Sequence, residues 1–309
     1  MGTTRRQWMQ SALALAALGQ RASAQPQRKD PWADVPDSEI RVPKVRFGEL
    51  EISRLIVGAN PFLGFSHHNN NFNLVMRQWY TPERVVEVLK RCQAFGVNAY
   101  NYVHMGRAQA DWEKFLAEGG RMHLIAQATT SDPAELVKAV RPYAAWVQGE
   151  RVDDAWQSGD LAPIRDYCKR LRDLGVRMVG VASHIPEVLM EVESQGWDVD
   201  FYAGCVYNRR RTPEELRKYL GGHLPVQPRE LYLQDDPPRM YAFMRATSKP
   251  CVAFKILAAG RVNNVEEAFK QAFASLKPID LVCVGFFPAA RDEVKENCFY
   301  AMKYGAVAT

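Results

Sequence analysis

No stretch of this 309-residue chain is apolar for long enough to cross a membrane. Even the runs at residues 11–19 and 281–286 fall far short of the roughly 20 residues that a spanning helix needs. Neither sign of charge dominates, with 40 Lys and Arg against 35 Asp and Glu. Three of the basic residues (Arg5, Arg6, Arg21) sit in the first 24 positions, so the remainder is close to neutral and nucleic-acid binding gains no support. There are six cysteines but no Cys-x-x-Cys pair. Cys205, Cys251 and Cys283 fall in apolar, strand-like runs, and Cys92 and Cys168 in amphipathic stretches, a pattern of buried thiols rather than of a disulfide framework. No helical His-x-x-x-His or other compact metal motif occurs, and no low-complexity segment.

What is present begins at the N-terminus. Arg5-Arg6 is followed by the apolar run at 11–19, then Gln20-Arg21, then the small residues Ala22-Ser23-Ala24. That order of charged, apolar and small-residue regions resembles a bacterial twin-arginine leader, which exports proteins already folded. The resemblance implies cleavage after Ala24, a periplasmic location, the twin-arginine export machinery as a transient partner, and no lasting membrane anchor. Export in the folded state also lets a protein carry a cofactor loaded beforehand. Residues 25–43 read as a Pro-rich, charged arm, and residues 44–309 as one large domain.

Within that domain short apolar runs recur at residues 55–59, 99–103, 124–128, 145–148, 178–182, 201–206, 252–257 and 281–286. Helix starts are marked by Thr81-Pro82-Glu83, Asp132-Pro133-Ala134-Glu135 and Thr212-Pro213-Glu214-Glu215, each with a capping side chain before Pro. Helix ends are marked by glycine, in Phe95-Gly96-Val97, Leu174-Gly175-Val176 and Gln195-Gly196-Trp197. A unit of strand, loop, helix, Gly and strand, repeated eight times, predicts an α/β fold, the (β/α)8 TIM barrel.

Two connections are long, residues 60–80 and 208–250, and both follow strands, which places them on the face where barrel enzymes keep their chemistry. The first carries Asn60, His67, His68, an Asn run and Trp79. Amide, imidazole and aromatic groups together suit a neutral, polyhydroxylated ligand such as a sugar, although an Asn run also suits a solvated turn. In the second, Arg209-Arg210-Arg211 reads as a solvated loop edge rather than a phosphate clamp.

Several segments resemble the aldo/keto reductase family. Residues 45–58 (VRFGELEISRLIVG) resemble the N-terminal β-hairpin that plugs the barrel bottom and leads into its first strand, and Gly96-Val97-Asn98-Ala99-Tyr100-Asn101 resembles the second strand. Gly180-Val181-Ala182-Ser183-His184 resembles the Gly-Val-Ser-Asn after strand five, Tyr207-Asn208 the Tyr-Asn after strand six, Leu257-Ala258-Ala259-Gly260 the pyrophosphate loop, and Glu296-Asn297 the Glu-Asn of the last helix. The resemblance implies NADP(H) binding, with Ser183 on the nicotinamide amide, Tyr207 against its ring, Gly260 at the pyrophosphate, and Glu296 and Asn297 at adenine. The family's Asp-Tyr-Lys-His tetrad does not carry over. Its positions read Asn101, Met105 or Gly106, Gln127 or Ala128, and a segment Gln148-Gly149-Glu150 without histidine.

The strand ends offer a different polar set: Asn60, Asn101, His104, Gln127, Gln148, Glu150, His184, Tyr207 and Lys255. Three readings stay open. A nicotinamide-dependent oxidoreductase would act on a sugar-like carbonyl or alcohol with His104 or Tyr102 as the replacement proton donor. A sugar lyase, isomerase or hydrolase would use a divalent metal on His104, Glu150 and His184, or acid/base chemistry alone. A non-catalytic barrel would only bind sugar. Lys255 can form a Schiff base if burial lowers its pKa, or pair with Glu150 as a fixed counter-charge. Pairing is favoured, because an imine role needs a proton shuttle that the sequence does not reveal. His123 and His223 are expected bystanders.

Overall fold

The computed structural model describes residues 30–307, so the twin-arginine segment lies outside the described residues. The chain divides into two compact units, residues 1–35 and Pro36–Thr309. The described part of the first is a short turn. The second is the barrel.

The barrel unit opens with a hairpin, β1 (Lys44–Phe47) and β2 (Leu50–Ser53), paired antiparallel with Val45 opposite Ile52. Eight parallel strands then close on themselves: β3 (Leu55–Gly58), β4 (Ala99–Asn101), β5 (His123–Ala128), β6 (Ala144–Val147), β7 (Met178–Ser183), β8 (Phe201–Cys205), β9 (Cys251–Phe254) and β10 (Leu281–Gly285). β10 pairs with β3 and seals the ring, Val282 facing Leu55. Strands buried on both faces should read as continuous apolar runs, and β3, β6, β7 and β8 are buried along their whole length. This is the eight-stranded α/β barrel that the eight apolar runs predict.

The hairpin closes the bottom. Phe47 and Ile52 have no solvent exposure and pack with Ile56, Ile125, Trp146, Phe201 and Val252 of the barrel interior. The Phe47 and Phe201 rings meet edge to face at 5.1 Å. With the lower end filled, the barrel interior opens at the C-terminal ends of its strands.

Helices alternate with the strands: α1 (Asn70–Trp79), α2 (Pro82–Ala94), α3 (Ala108–Ala117), α4 (Pro133–Val140), α5 (Gly149–Gln157), α6 (Ala162–Asp173), α7 (Pro186–Ser194), α8 (Pro213–Tyr219), α9 (Asp236–Ala246), α10 (Val265–Ser275) and α11 (Glu293–Gly305). Their starts follow the sequence marks. Thr81 accepts from the Arg84 N–H, Asp132 from the Ala134 N–H, and Thr212 and Glu215 form a reciprocal capping box. Gly96, Gly175 and Gly196 sit at positive φ where helices end.

The 60–80 connection departs from a plain loop, since α1 lies within it. Asn69 caps that helix by accepting from the Phe72 N–H, and Asn73 Oδ1 accepts from the Ser66 N–H and hydroxyl. At Asn69 the Asn run serves the backbone rather than a ligand, and Asn73, just beyond the run, does the same.

The six cysteines are unpaired and buried. No helix among the described residues is long and apolar enough to cross a membrane.

Candidate active site at the barrel mouth

A cavity of about 720 Å³ opens at the C-terminal ends of the strands. Its wall gathers most of the polar set expected there: Asn60 after β3, Asn101 at the end of β4, Gln127 in β5, Gln148 and Glu150 after β6, His184 after β7 and Lys255 after β9. His67 and His68, from the loop before α1, enter from the side. Gly260, Glu296 and Asn297 line the same cavity, so inner polar cluster and outer end form one continuous space.

Some expected residues lie elsewhere. Tyr102 is fully buried, its hydroxyl 3.0 Å from His104 Nδ1, and neither lines the cavity. Burial and the Glu113 charge push the Tyr102 phenol up to about 12, which makes it a poor proton donor near neutrality. Trp79 packs on Tyr80 and Phe287 beneath the Arg84 guanidinium. Tyr207 packs edge to face on Tyr232 at 5.2 Å, outside the cavity lining. Among the described residues no group of three His, Cys, Asp or Glu side chains is placed to hold a metal ion, so His104, Glu150 and His184 do not form a ligand set.

A second correction concerns Ser183 and His184, the pair expected near nicotinamide. Both turn to Asp153, a carboxylate on α5 with no solvent exposure. Ser183 Oγ donates to Asp153 Oδ1 at 2.5 Å, and His184 Nδ1 donates to Oδ2 at 2.7 Å. The His184 N–H also points at Oδ1, at 3.3 Å. A buried carboxylate must be satisfied by donors, and these three do so. With Nδ1 committed to Asp153, Nε2 is the ring nitrogen left for a ligand in the cavity. Carboxylate, oriented imidazole and open Nε2 together make a proton-transfer unit. Asp153 was not legible in the sequence, because its partners Ser183 and His184 lie about 30 residues further along the chain.

The arginine run is the third correction. Arg209 and Arg210 are each 5% exposed, far from a solvated edge. Each guanidinium meets a different carboxylate: Arg209 meets Glu230 and Arg211 meets Asp236 within the 208–250 insertion, and Arg210 ties the insertion to Asp154 on α5. The sequence signal was three adjacent charges, and the partners that bury them are remote in the chain.

Arg209 and Glu230 also set the electrostatics of the inner wall. Asn60 Nδ2 lies 3.2 Å from His67 Nε2, and His67 Nδ1 lies 3.2 Å from both Glu230 Oε1 and the Arg209 guanidinium. Burial, with the Lys255 and Arg209 charges, lowers His67 to about 4, so the ring is neutral near pH 7. Burial opposes ionisation of Glu230, but the His67 hydrogen bond and the Arg209 and Lys255 charges outweigh it and hold the carboxylate at about 2.

Lys255 faces this pair without joining it. Among the described residues its amine makes no ion pair, with Glu150 or any other carboxylate, so the expected counter-charge pairing is not formed. Burial and the Arg209 charge lower its pKa to about 7, against the smaller opposing pulls of Cys205, Glu230 and Glu150. Its backbone has φ +64°, and His67, Ala258 and Ala259 are also left-handed. Side chains other than glycine rarely adopt that conformation, which costs on the order of 1–3 kcal/mol and gathers at working sites.

At the outer end Gly260 (φ +84°) leaves its backbone open, since a Cβ there would meet only His68 Nε2 at 3.8 Å. Glu293 accepts from the Phe287 N–H, and burial raises its pKa to about 6. Arg291 pairs with Glu296.

No protein-family model matches the chain, and no curated protein matches it in sequence. Solved structures do match it in fold. One described as an aldo-keto reductase from Pseudomonas aeruginosa superposes with a TM-score of 0.55 at 14% identity, covering 86% of this chain and 98% of its own. Another, described as a 2,5-diketo-D-gluconic acid reductase B, gives 0.50 at 12% identity, covering 84% and 86%. At these identities the likeness carries the architecture of the barrel and not its chemistry.

Proposed function

We propose that the protein is an exported, nicotinamide-dependent oxidoreductase acting on a sugar-like carbonyl or alcohol, with His184 and Asp153 in place of the missing tetrad. The observation that carries this reading is the shared cavity: the oriented imidazole faces the same space as Gly260, Glu296 and Asn297. The chemistry of the outer end fits NADP(H). Gly260 would let a pyrophosphate approach the backbone, and the amide of Asn297 can meet an adenine edge. When bound, the cofactor supplies or accepts the hydride.

The chain's own work is positioning and proton transfer. Asn60, Gln127 and Gln148 present amide groups that suit the hydroxyls of a polyhydroxylated substrate. His184 Nε2 gives a proton to the developing alkoxide, or takes one from an alcohol in the reverse direction. Asp153 holds the ring in one tautomer and stabilises the imidazolium when it forms. The twin-arginine leader supports a periplasmic site of action and passage through the export machinery with cofactor already bound.

The test is turnover of a keto-sugar and sugar-alcohol panel by residues 25–309, followed by NADPH or NADH absorbance. Turnover that His184→Gln abolishes, with cofactor affinity kept, is the expected result. Turnover unchanged in that variant would overturn the assignment of His184.

A further inference from the structure

Lys255 has no part in hydride transfer as described above, yet its surroundings are those of a reactive amine. It follows β9 directly, on the cavity wall, in a left-handed backbone conformation shared with His67 and Ala259 on the same wall. The nearest acidic network is already committed, because Glu230 is shared between Arg209 and His67. The proton shuttle that an imine mechanism needs is also present: His184 lines the same cavity, and its ring meets that of Phe254, the residue before Lys255, at 5.8 Å.

We propose that Lys255 condenses with the aldehyde or ketone of a small polyhydroxylated substrate, giving the site an imine-based activity beyond hydride transfer. Neutral Nζ attacks the carbonyl carbon, the C–N bond forms, and the carbonyl π pair moves to oxygen. Transfer of a proton from nitrogen to that oxygen gives the carbinolamine. Protonation of its hydroxyl by the His184 imidazolium, which carries the proton that Lys255 gave up on becoming neutral, releases water and leaves the iminium. His184 Nε2, neutral again, then takes the proton from the adjacent carbon. That C–H pair becomes the enamine double bond, and the iminium π pair returns to nitrogen. Reprotonation and hydrolysis regenerate amine and carbonyl, so the cycle needs no oxidant and no cofactor. Its product is the same hydroxy-carbonyl compound epimerised, or its hydrogen exchanged with solvent, at the carbon next to the carbonyl. An amine lowered to about 7 is available for attack at neutral pH, where exposed lysines, at about 10.4, are protonated.

The experiment uses nucleotide-stripped residues 25–309, dihydroxyacetone as the probe, and borohydride to reduce any imine, with peptide mass spectrometry as the readout. Wild type is expected to carry the reduced three-carbon adduct on the Lys255 peptide, with labelling that rises through pH 7. Lys255→Met and Lys255→Arg should lose that adduct, and both should lose the exchange of carbon-bound hydrogen for deuterium in the unreduced probe. Adduct spread over surface lysines, or wild-type labelling that rises only near pH 10, would overturn the proposal. The pH profile belongs to the unaltered protein, so a variant that fails to fold leaves the test intact. Nucleotide binding is measured separately, so failure here and failure of the oxidoreductase reading are distinguishable.

Discussion

His184 Nδ1 lies 2.7 Å from Oδ2 of Asp153, a carboxylate with no exposure to solvent, and the imidazole of this pair lines the cavity at the barrel mouth. Its two members come from different β/α units, β7 and α5, so the barrel itself sets their distance.

Asp153→Asn keeps the shape but removes the charge that holds the Nδ1 proton. Turnover should fall by about 10²- to 10⁴-fold, the usual share of a positioned acid or base. Dinucleotide affinity should stay within about twofold, because Asp153 does not line the cavity. Equal losses in turnover and affinity would show that the substitution had disturbed the site as a whole.

Acid should destabilise the protein through His67 and Glu230 in sequence. His67 in the folded state titrates at about 4, below its ordinary 6.5, so the unfolded chain binds the extra proton first. Its stabilisation is complete above pH 6.5 and is lost as the pH falls towards 4. Glu230, at about 2 instead of 4.5, extends the loss from 4.5 downwards. In urea unfolding curves, His67→Gln should remove on the order of 3 kcal/mol of the change between pH 6.5 and 4, from about 1.4 kcal/mol per unit of pKa shift. Parallel pH profiles for wild type and variant would refute this.

Breaking the Arg209–Glu230 pair should loosen the 208–250 insertion. Arg209→Met leaves Glu230 beside His67 without its main counter-charge, and removal of one partner from a buried pair typically costs about 3–5 kcal/mol. Glu230→Gln, which keeps a hydrogen-bonding group near His67, should cost less. Limited proteolysis is expected to cut within 208–250 first in both variants, and a barrel cut elsewhere would contradict the role given to this pair.

Phe47→Ala should open the bottom plug. The ring is fully buried against Phe201, and such deletions typically cost about 3–5 kcal/mol in lost burial and an unfilled cavity. Calorimetry should show the lower midpoint, while cofactor affinity at the opposite end is unchanged.

The barrel was readable in the sequence because its signals are local. Each strand is a short apolar run, and Thr81, Asp132 and Thr212 cap the helices that follow from within a few residues. What escaped depends on groups distant in the chain. Asp153 and Asp154 are adjacent, yet one turns inward to His184 and the other to Arg210. Arg209, Arg210 and Arg211 look like a solvated charge run until their separate carboxylates are in place. Lys255 looked like a partner for Glu150, but the carboxylate nearest in the network, Glu230, is supplied by the insertion and already taken. α1 was hidden by its own composition, since Asn-rich segments favour turns and only the Asn69 cap marks the helix.

The central claim is tested most directly by titrating NADPH into residues 25–309 and following cofactor fluorescence, after a search for nucleotide retained through purification. Saturable binding that weakens in Gly260→Val, or a dinucleotide released on denaturation, is the predicted result. No binding at millimolar cofactor, and none retained, would contradict the oxidoreductase reading and leave the Lys255 and His184 chemistry to account for the cavity.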